Sequence, residues 1–84
     1  MSAITVQRVV RTLPSRWVAT VVFDRGNAVW TERVAFSRTL TGDRTMIVSV
    51  TDDDYPDDRQ ERLFVNSRRD MRQLIRDYLI AGRW

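Results

Sequence analysis

Eighty-four residues with no cysteine, no histidine and no lysine make room for one small domain without disulfide or thiolate-metal support. Apolar burial has to hold such a fold, and a hydrophobic content of 43%, with three Trp and three Phe, permits it. The net charge of +3 is carried by fourteen Arg against eleven acidic residues. No apolar run approaches the roughly 20 residues that span a bilayer, and the first residues show neither a charged leader nor a signal-type apolar stretch. The expected compartment is the cytoplasm, with no membrane association.

The charge is segregated along the chain. Residues 1–50 carry seven Arg against Asp24, Glu32 and Asp43. Residues 51–61 carry Asp52, Asp53, Asp54, Asp57, Asp58 and Glu61 against Arg59 alone, and residues 62–84 carry six Arg against Asp70 and Asp77. An acidic block between two basic ones competes with any bound polyanion, so the chain differs from a uniformly basic nucleic-acid binder. Using Arg for every basic position fits the codon bias of a GC-rich genome. It also supplies planar, multi-donor cations suited to carboxylate or phosphate.

The first segment, Ile4 to Val10, alternates as a strand, with Ile4, Val6 and Val10 on one face, Arg8 intruding, and an end near Pro14. Arg16 to Phe23 is β-branched and aromatic and sets Trp17, Ala19, Val21 and Phe23 on one face. Ala28 to Arg38 sets Ala28, Trp30, Val34 and Phe36 on one face, interrupted by Glu32. Between the two, Asp24-Arg25-Gly26-Asn27 has residues that tolerate positive φ and predicts a tight hairpin. A loop centred on Arg25-Gly26 pairs Trp17 with Val34, Val21 with Trp30 and Phe23 with Ala28, which makes the apolar faces coincide. In that register Glu32 lies opposite Ala19, where it either reaches a sheet edge, pairs with Arg8, or belongs to a site.

A fourth strand, Arg44 to Thr51, follows a turn at Thr41-Gly42-Asp43 that sets Phe36 against Val48 and Val34 against Val50. Residues 51–61, with Pro56, form an acidic loop. Arg62 to Val65 gives a short fifth strand. A helix over about 67–81 follows, capped by Ser67, with Asp70 at the capping-box position. Met71, Leu74, Ile75, Tyr78 and Leu79 form its apolar stripe, and Gly82 ends it. The fold class is therefore α+β. A four- to five-stranded, mostly antiparallel meander spans about 4–65, with one C-terminal helix packed across a face. The 84 residues form a single domain.

The chemistry of the side chains narrows the function. Without His, Cys or Lys there is no usual general base near neutral pH, no thiolate nucleophile and no Schiff-base amine. Ser2, Ser15, Ser37, Ser49 and Ser67 lack a His partner, and no Gly-rich phosphate loop occurs. The chain is expected not to be an enzyme and to need no cofactor. As a calcium loop the acidic segment begins with carboxylates at 52 and 54. It then has Asp57 where the turn needs Gly and Leu63 where a bidentate Glu belongs, so no metal site is expected.

Three features remain as candidate binding elements. Asp52, Asp53, Asp54, Asp57 and Asp58 make either a solvated loop that balances nearby arginines or a docking loop for a basic partner. Their mutual repulsion predicts an exposed, extended segment unless a cationic surface meets it. Arg68, Arg69, Arg72 and Arg76 lie off the apolar stripe of the helix. Arg68 and Arg69 fall in its first turn, against the helix dipole, and Arg72 and Arg76 form a like-charge pair. The stripe is either neutralised by Asp70, Asp77 and the acidic loop or is a contact surface for phosphate or acidic protein. Trp84 either staples the helix end or stands exposed as an anchor.

Length and chemistry suit a small regulatory or inhibitory module that binds protein, of the kind that phages and other mobile elements encode. The first alternative is a nucleic-acid binder that contacts phosphates through the arginines of the helix. A structural or assembly subunit is the second. An uncovered sheet edge makes a homodimer compatible with any of these.

Overall fold

The computed structural model describes residues 3–84; Ser2, one of the serines considered above, lies outside the described residues. Five strands, β1 (Ala3–Leu13), β2 (Arg16–Asp24), β3 (Val29–Leu40), β4 (Thr45–Asp52) and β5 (Gln60–Asn66), precede one helix, α1 (Met71–Ile80). The strands form a single antiparallel meander in the order β1-β2-β3-β4-β5. The expected α+β architecture is the observed one, with all five strands present.

Alternation decides which face of the sheet is covered. Trp17, Ala19, Val21, Val34, Phe36, Met46, Val48 and Val50 project to one side and are buried under Met71, Leu74, Ile75, Tyr78 and Leu79 of α1. Phe36 and Tyr78 meet edge to face at 5.8 Å between ring centroids. Burying each such side chain contributes about 1.5–3 kcal/mol. Among the described residues no element lies across the opposite face, although Val18 and Ala35 are buried there among their neighbours.

Both hairpin registers differ from the expected ones by two residues. Trp17 faces Phe36, Val21 faces Glu32, and Phe23 faces Trp30. The cause lies in the turn. Asp24 closes the pairing with Val29, and its carboxylate accepts the Gly26 amide at 2.8 Å. The Arg25 amide donates to the Ala28 carbonyl, and Gly26 takes a φ of 82°. The loop is thus four residues centred on Gly26-Asn27. A shift of two conserves the faces, and it stacks Phe23 on Trp30 at 5.4 Å.

Likewise Phe36 faces Val50 and Leu40 faces Met46. Here Asp43 organises a longer turn than expected. Its carboxylate accepts the Thr41 hydroxyl at 2.8 Å and the Thr45 amide at 2.7 Å, and these bonds hold it below the usual carboxylate range.

Strand β1 is longer than the expected Ile4–Val10 and is bulged between Val6 and Arg8 and again between Arg11 and Leu13. The first bulge reverses the alternation. Val9 turns into the core and Val10 turns out, so Arg8 no longer intrudes on the apolar face.

The helix starts at Met71, later than expected, and its cap is Asp70, whose side chain accepts the Gln73 amide at 2.9 Å. Ser67, Arg68 and Arg69 belong to the preceding turn, so the two arginines are not in the first helical turn. The C-terminal end matches the expectation. Gly82 has a φ of 72°, its amide donates to Leu79, and the Arg83 amide reaches the Tyr78 carbonyl, a Schellman closure.

Candidate functional site: an arginine-lined hollow at the start of the helix

The turn that ends β5 brings the N-terminus of α1 to the end of the sheet where β1 and β3 finish and β2 starts. A hollow of about 390 Å³ opens there, lined by Trp17, Arg11, Arg38, Arg68, Arg69 and Arg72. The Trp17 ring, 4% exposed, forms its floor. Arg11 from β1 and Arg38 from β3 place their guanidinium carbons 5.0 and 5.1 Å from the Trp17 ring centroid. These are cation–π contacts from the strands on either side of β2. The Arg11 guanidinium also donates to the Pro14 carbonyl, which fixes its direction.

From the other wall, Arg72 donates to the Val9 carbonyl of β1. Arg69 pairs with Asp77 at 2.7 Å. Arg68 and Arg76 are exposed and make no side-chain ion pair or hydrogen bond among the described residues. Asp70 spends its carboxylate on the helix cap. The hollow is therefore lined by five arginines, of which Arg69 directs its guanidinium to Asp77, with the capped carboxylate of Asp70 beside them, in a setting where the helix N-terminus adds partial positive charge.

The expected arginine stripe is thus divided. Arg72 and Arg68 join the hollow, Arg69 turns toward Asp77, and Arg76 lies farther along the exposed side of α1. Arg11 and Arg38 are the additions. They sit in separate strands, 27 positions apart in the numbering, and only the β1–β2–β3 pairing puts both beside Trp17. The available signal was the Trp17 position between two predicted strands that each carry an Arg near its end.

The acidic segment leaves β4 at its end away from the hollow, level with the middle of β3, and is only partly the exposed, extended loop expected. Asp53 has a side chain 12% exposed, held by Arg16 at 2.5 Å and Arg33 at 2.6 Å on the face away from α1. Its own amide donates to the Arg33 carbonyl. Asp52 accepts the amides of Asp54 and Tyr55 and so folds the start of the loop. Asp54 lies 3.8 Å from Arg33. Asp57 and Asp58 are exposed, in a turn closed by the Asp58 amide on Tyr55. Two partners from β2 and β3 thus outweigh carboxylate repulsion at Asp53, whereas the tip of the loop remains free.

Trp84 is a staple. Its indole N–H donates to Glu32 at 3.2 Å, Arg59 sits 4.3 Å over its ring, and it packs against the core. Glu32 accepts the Trp30 indole at 3.3 Å with its other oxygen. It therefore ties the β2–β3 hairpin to the chain end and does not pair with Arg8. Tyr78 lies beneath this end of α1. Burial, with a smaller contribution from Glu61, pushes its phenol above the ordinary value.

No helix of the described residues is long and apolar enough to cross a membrane. No protein-family model, curated protein or solved structure matches the chain.

Proposed function

We propose that the chain is a non-catalytic binding module that recognises an acidic protein surface through the hollow around Trp17, in the manner of a small regulator or inhibitor. The observation that carries this reading is the convergence of Arg11, Arg38, Arg68 and Arg72 on one concave surface. Three of the four are ordered, Arg11 and Arg72 by internal hydrogen bonds and Arg11 and Arg38 by the Trp17 ring, so little of their side-chain freedom is lost on binding. Planar guanidinium groups meet carboxylates in bidentate pairs, and an aromatic floor offers apolar contact between them. The absence of His, Cys and Lys fits a role in binding rather than in reaction.

Protein is favoured over nucleic acid because the exposed Asp57 and Asp58 lie in the loop at the end of β4 away from the hollow, where an extended polyanion would meet repulsion. The test compares binding of poly-glutamate with binding of a random-sequence DNA duplex across a salt series, read by tryptophan fluorescence. Saturable poly-glutamate binding that weakens at least tenfold in the Arg11→Gln/Arg38→Gln variant supports the proposal. Tighter binding to the duplex, with a steep loss of affinity on raising salt, would replace it with phosphate recognition.

A further inference from the structure

Arginines converge at two places in this molecule, and only one of them is neutralised from within. On the face away from α1, Arg16 and Arg33 meet on Asp53, whose two carboxylate oxygens lie 2.5 and 2.6 Å from them. In the hollow around Trp17 no such carboxylate arrives. The ion pairs among the described residues belong to Arg16, Arg33 and Arg69, and none to Arg11, Arg38, Arg68 or Arg72. The one carboxylate lining the hollow, Asp70, gives an oxygen to the Gln73 amide as the helix cap.

The internal partners that these arginines do have are neutral. Arg11 donates to the Pro14 carbonyl and Arg72 to the Val9 carbonyl, while Arg11 and Arg38 lie against the Trp17 ring. A carbonyl or a ring orients a guanidinium without cancelling its charge, and it leaves most of the five N–H donors free. The concave wall thus carries like charges from β1, β3, the turn before α1 and α1 itself, and it focuses their field on the space between them. Mutual repulsion opposes this grouping unless an anion enters.

The number and direction of the donors select the anion. A side-chain carboxylate offers one charge and two oxygens in one plane, which one or two guanidinium forks satisfy. A nucleic-acid phosphate likewise carries a single charge. A phosphomonoester carries about −1.5 to −2 at neutral pH and three acceptor oxygens around a tetrahedral phosphorus. Those oxygens accept from several sides at once, as donors from β1, from β3 and from the helix side require.

We propose that the hollow receives a phosphorylated side chain of the partner protein, its phosphoryl dianion held by Arg11 and Arg38 from the sheet and by Arg68 and Arg72 from the helix side. This rests on the reading of the hollow as a site for acidic protein and names the acidic group. It also carries a pH signature. The second phosphoryl proton binds with a pKa of about 6, and the monoanion that forms below it offers less charge and fewer acceptors. The chain has no histidine to titrate in the same range, and glutamate, with an ordinary pKa of about 4.3, stays ionised there.

The test measures fluorescence anisotropy of three labelled peptides in one neutral host sequence, carrying phosphoserine, phosphotyrosine or a Glu-Glu pair of matching charge. At least one phosphopeptide should bind at least tenfold more tightly than the Glu-Glu peptide. Its affinity should fall at least threefold between about pH 7.5 and about pH 5.5, whereas binding of poly-glutamate should not. Arg11→Gln/Arg38→Gln should weaken it at least tenfold. Arg68→Gln, at an exposed side chain that makes no bond among the described residues, should weaken it at least threefold with an unchanged melting curve. Arg76→Gln, outside the hollow, should leave it within twofold. Equal affinity for the phosphopeptides and the Glu-Glu peptide, with poly-glutamate still bound, would overturn the phosphoryl assignment and leave the acidic-protein reading standing. So would a phosphopeptide affinity that does not change with pH. An equal loss in Arg76→Gln and Arg68→Gln would overturn the assignment to the hollow. Failure of poly-glutamate and all three peptides to bind would overturn both, as would tighter binding of a DNA duplex than of either phosphopeptide.

Discussion

Asp53 sits between Arg16 and Arg33, on the face of the sheet away from α1, while Asp57 and Asp58 stand in solvent a few residues later. The difference shows how far residue type alone reaches. Five nearby carboxylates imply repulsion, and repulsion implies exposure. The partners that reverse this for Asp53 come from β2 and β3, and they become neighbours only through the register of two hairpins. Glu32 is a second case: its two indole donors lie 2 and 52 positions away. Asp53→Asn is expected to cost about 1–2 kcal/mol, between a surface ion pair and a buried one. Asp57→Asn and Asp58→Asn should each stay within about 0.5 kcal/mol of the wild type. Chemical denaturation of the three variants checks this, and equal effects at all three positions would contradict the assignment of Asp53 to the sheet.

At the scale of elements, the sequence was informative wherever one period ran undisturbed. The alternation in β2, β3 and β4 identified the covered face, and the stripe from Met71 to Leu79 identified the helix face that covers it. Parity survived even where the register moved, because a shift of two residues leaves every side chain on its own face. What alternation could not show was the length of each turn, which Asp24 and Asp43 set through their side-chain hydrogen bonds. Nor could it show a bulge, since the extra residue in β1 makes an apolar pair look like an interruption by Arg8. The helix start was expected at Ser67, three positions before Asp70, the residue that caps it. Asp70→Ala should destabilise the protein by about 1 kcal/mol, and Ser67→Ala by less than about 0.5 kcal/mol. The reverse order in thermal melts would return the cap to Ser67. Leu74, 3% exposed beneath α1, should cost about 2–5 kcal/mol as Leu74→Ala. A loss under about 1 kcal/mol would mean that the helix does not seal the core.

For the whole molecule, the first and last charge blocks of the sequence meet in one hollow at one end of the sheet. Five arginines from β1, β3, the turn before α1 and α1 itself line it, and the tip of the acidic loop stands apart from it. The linear charge pattern foretold segregation but not its geometry, because Arg11 and Arg38 belong to the first basic block and Arg68 and Arg72 to the last. The meander joins them, and Trp17 gives them a common floor. On this account, binding to an acidic surface is local to that end. The most direct measurement is an amide and tryptophan-indole NMR titration of the chain with poly-glutamate. Shifts confined to Trp17, Arg11, Arg38 and the Ser67–Arg72 segment are the predicted result. Shifts centred on the open face of the sheet, or absent from Trp17 while the acidic loop responds, would contradict it.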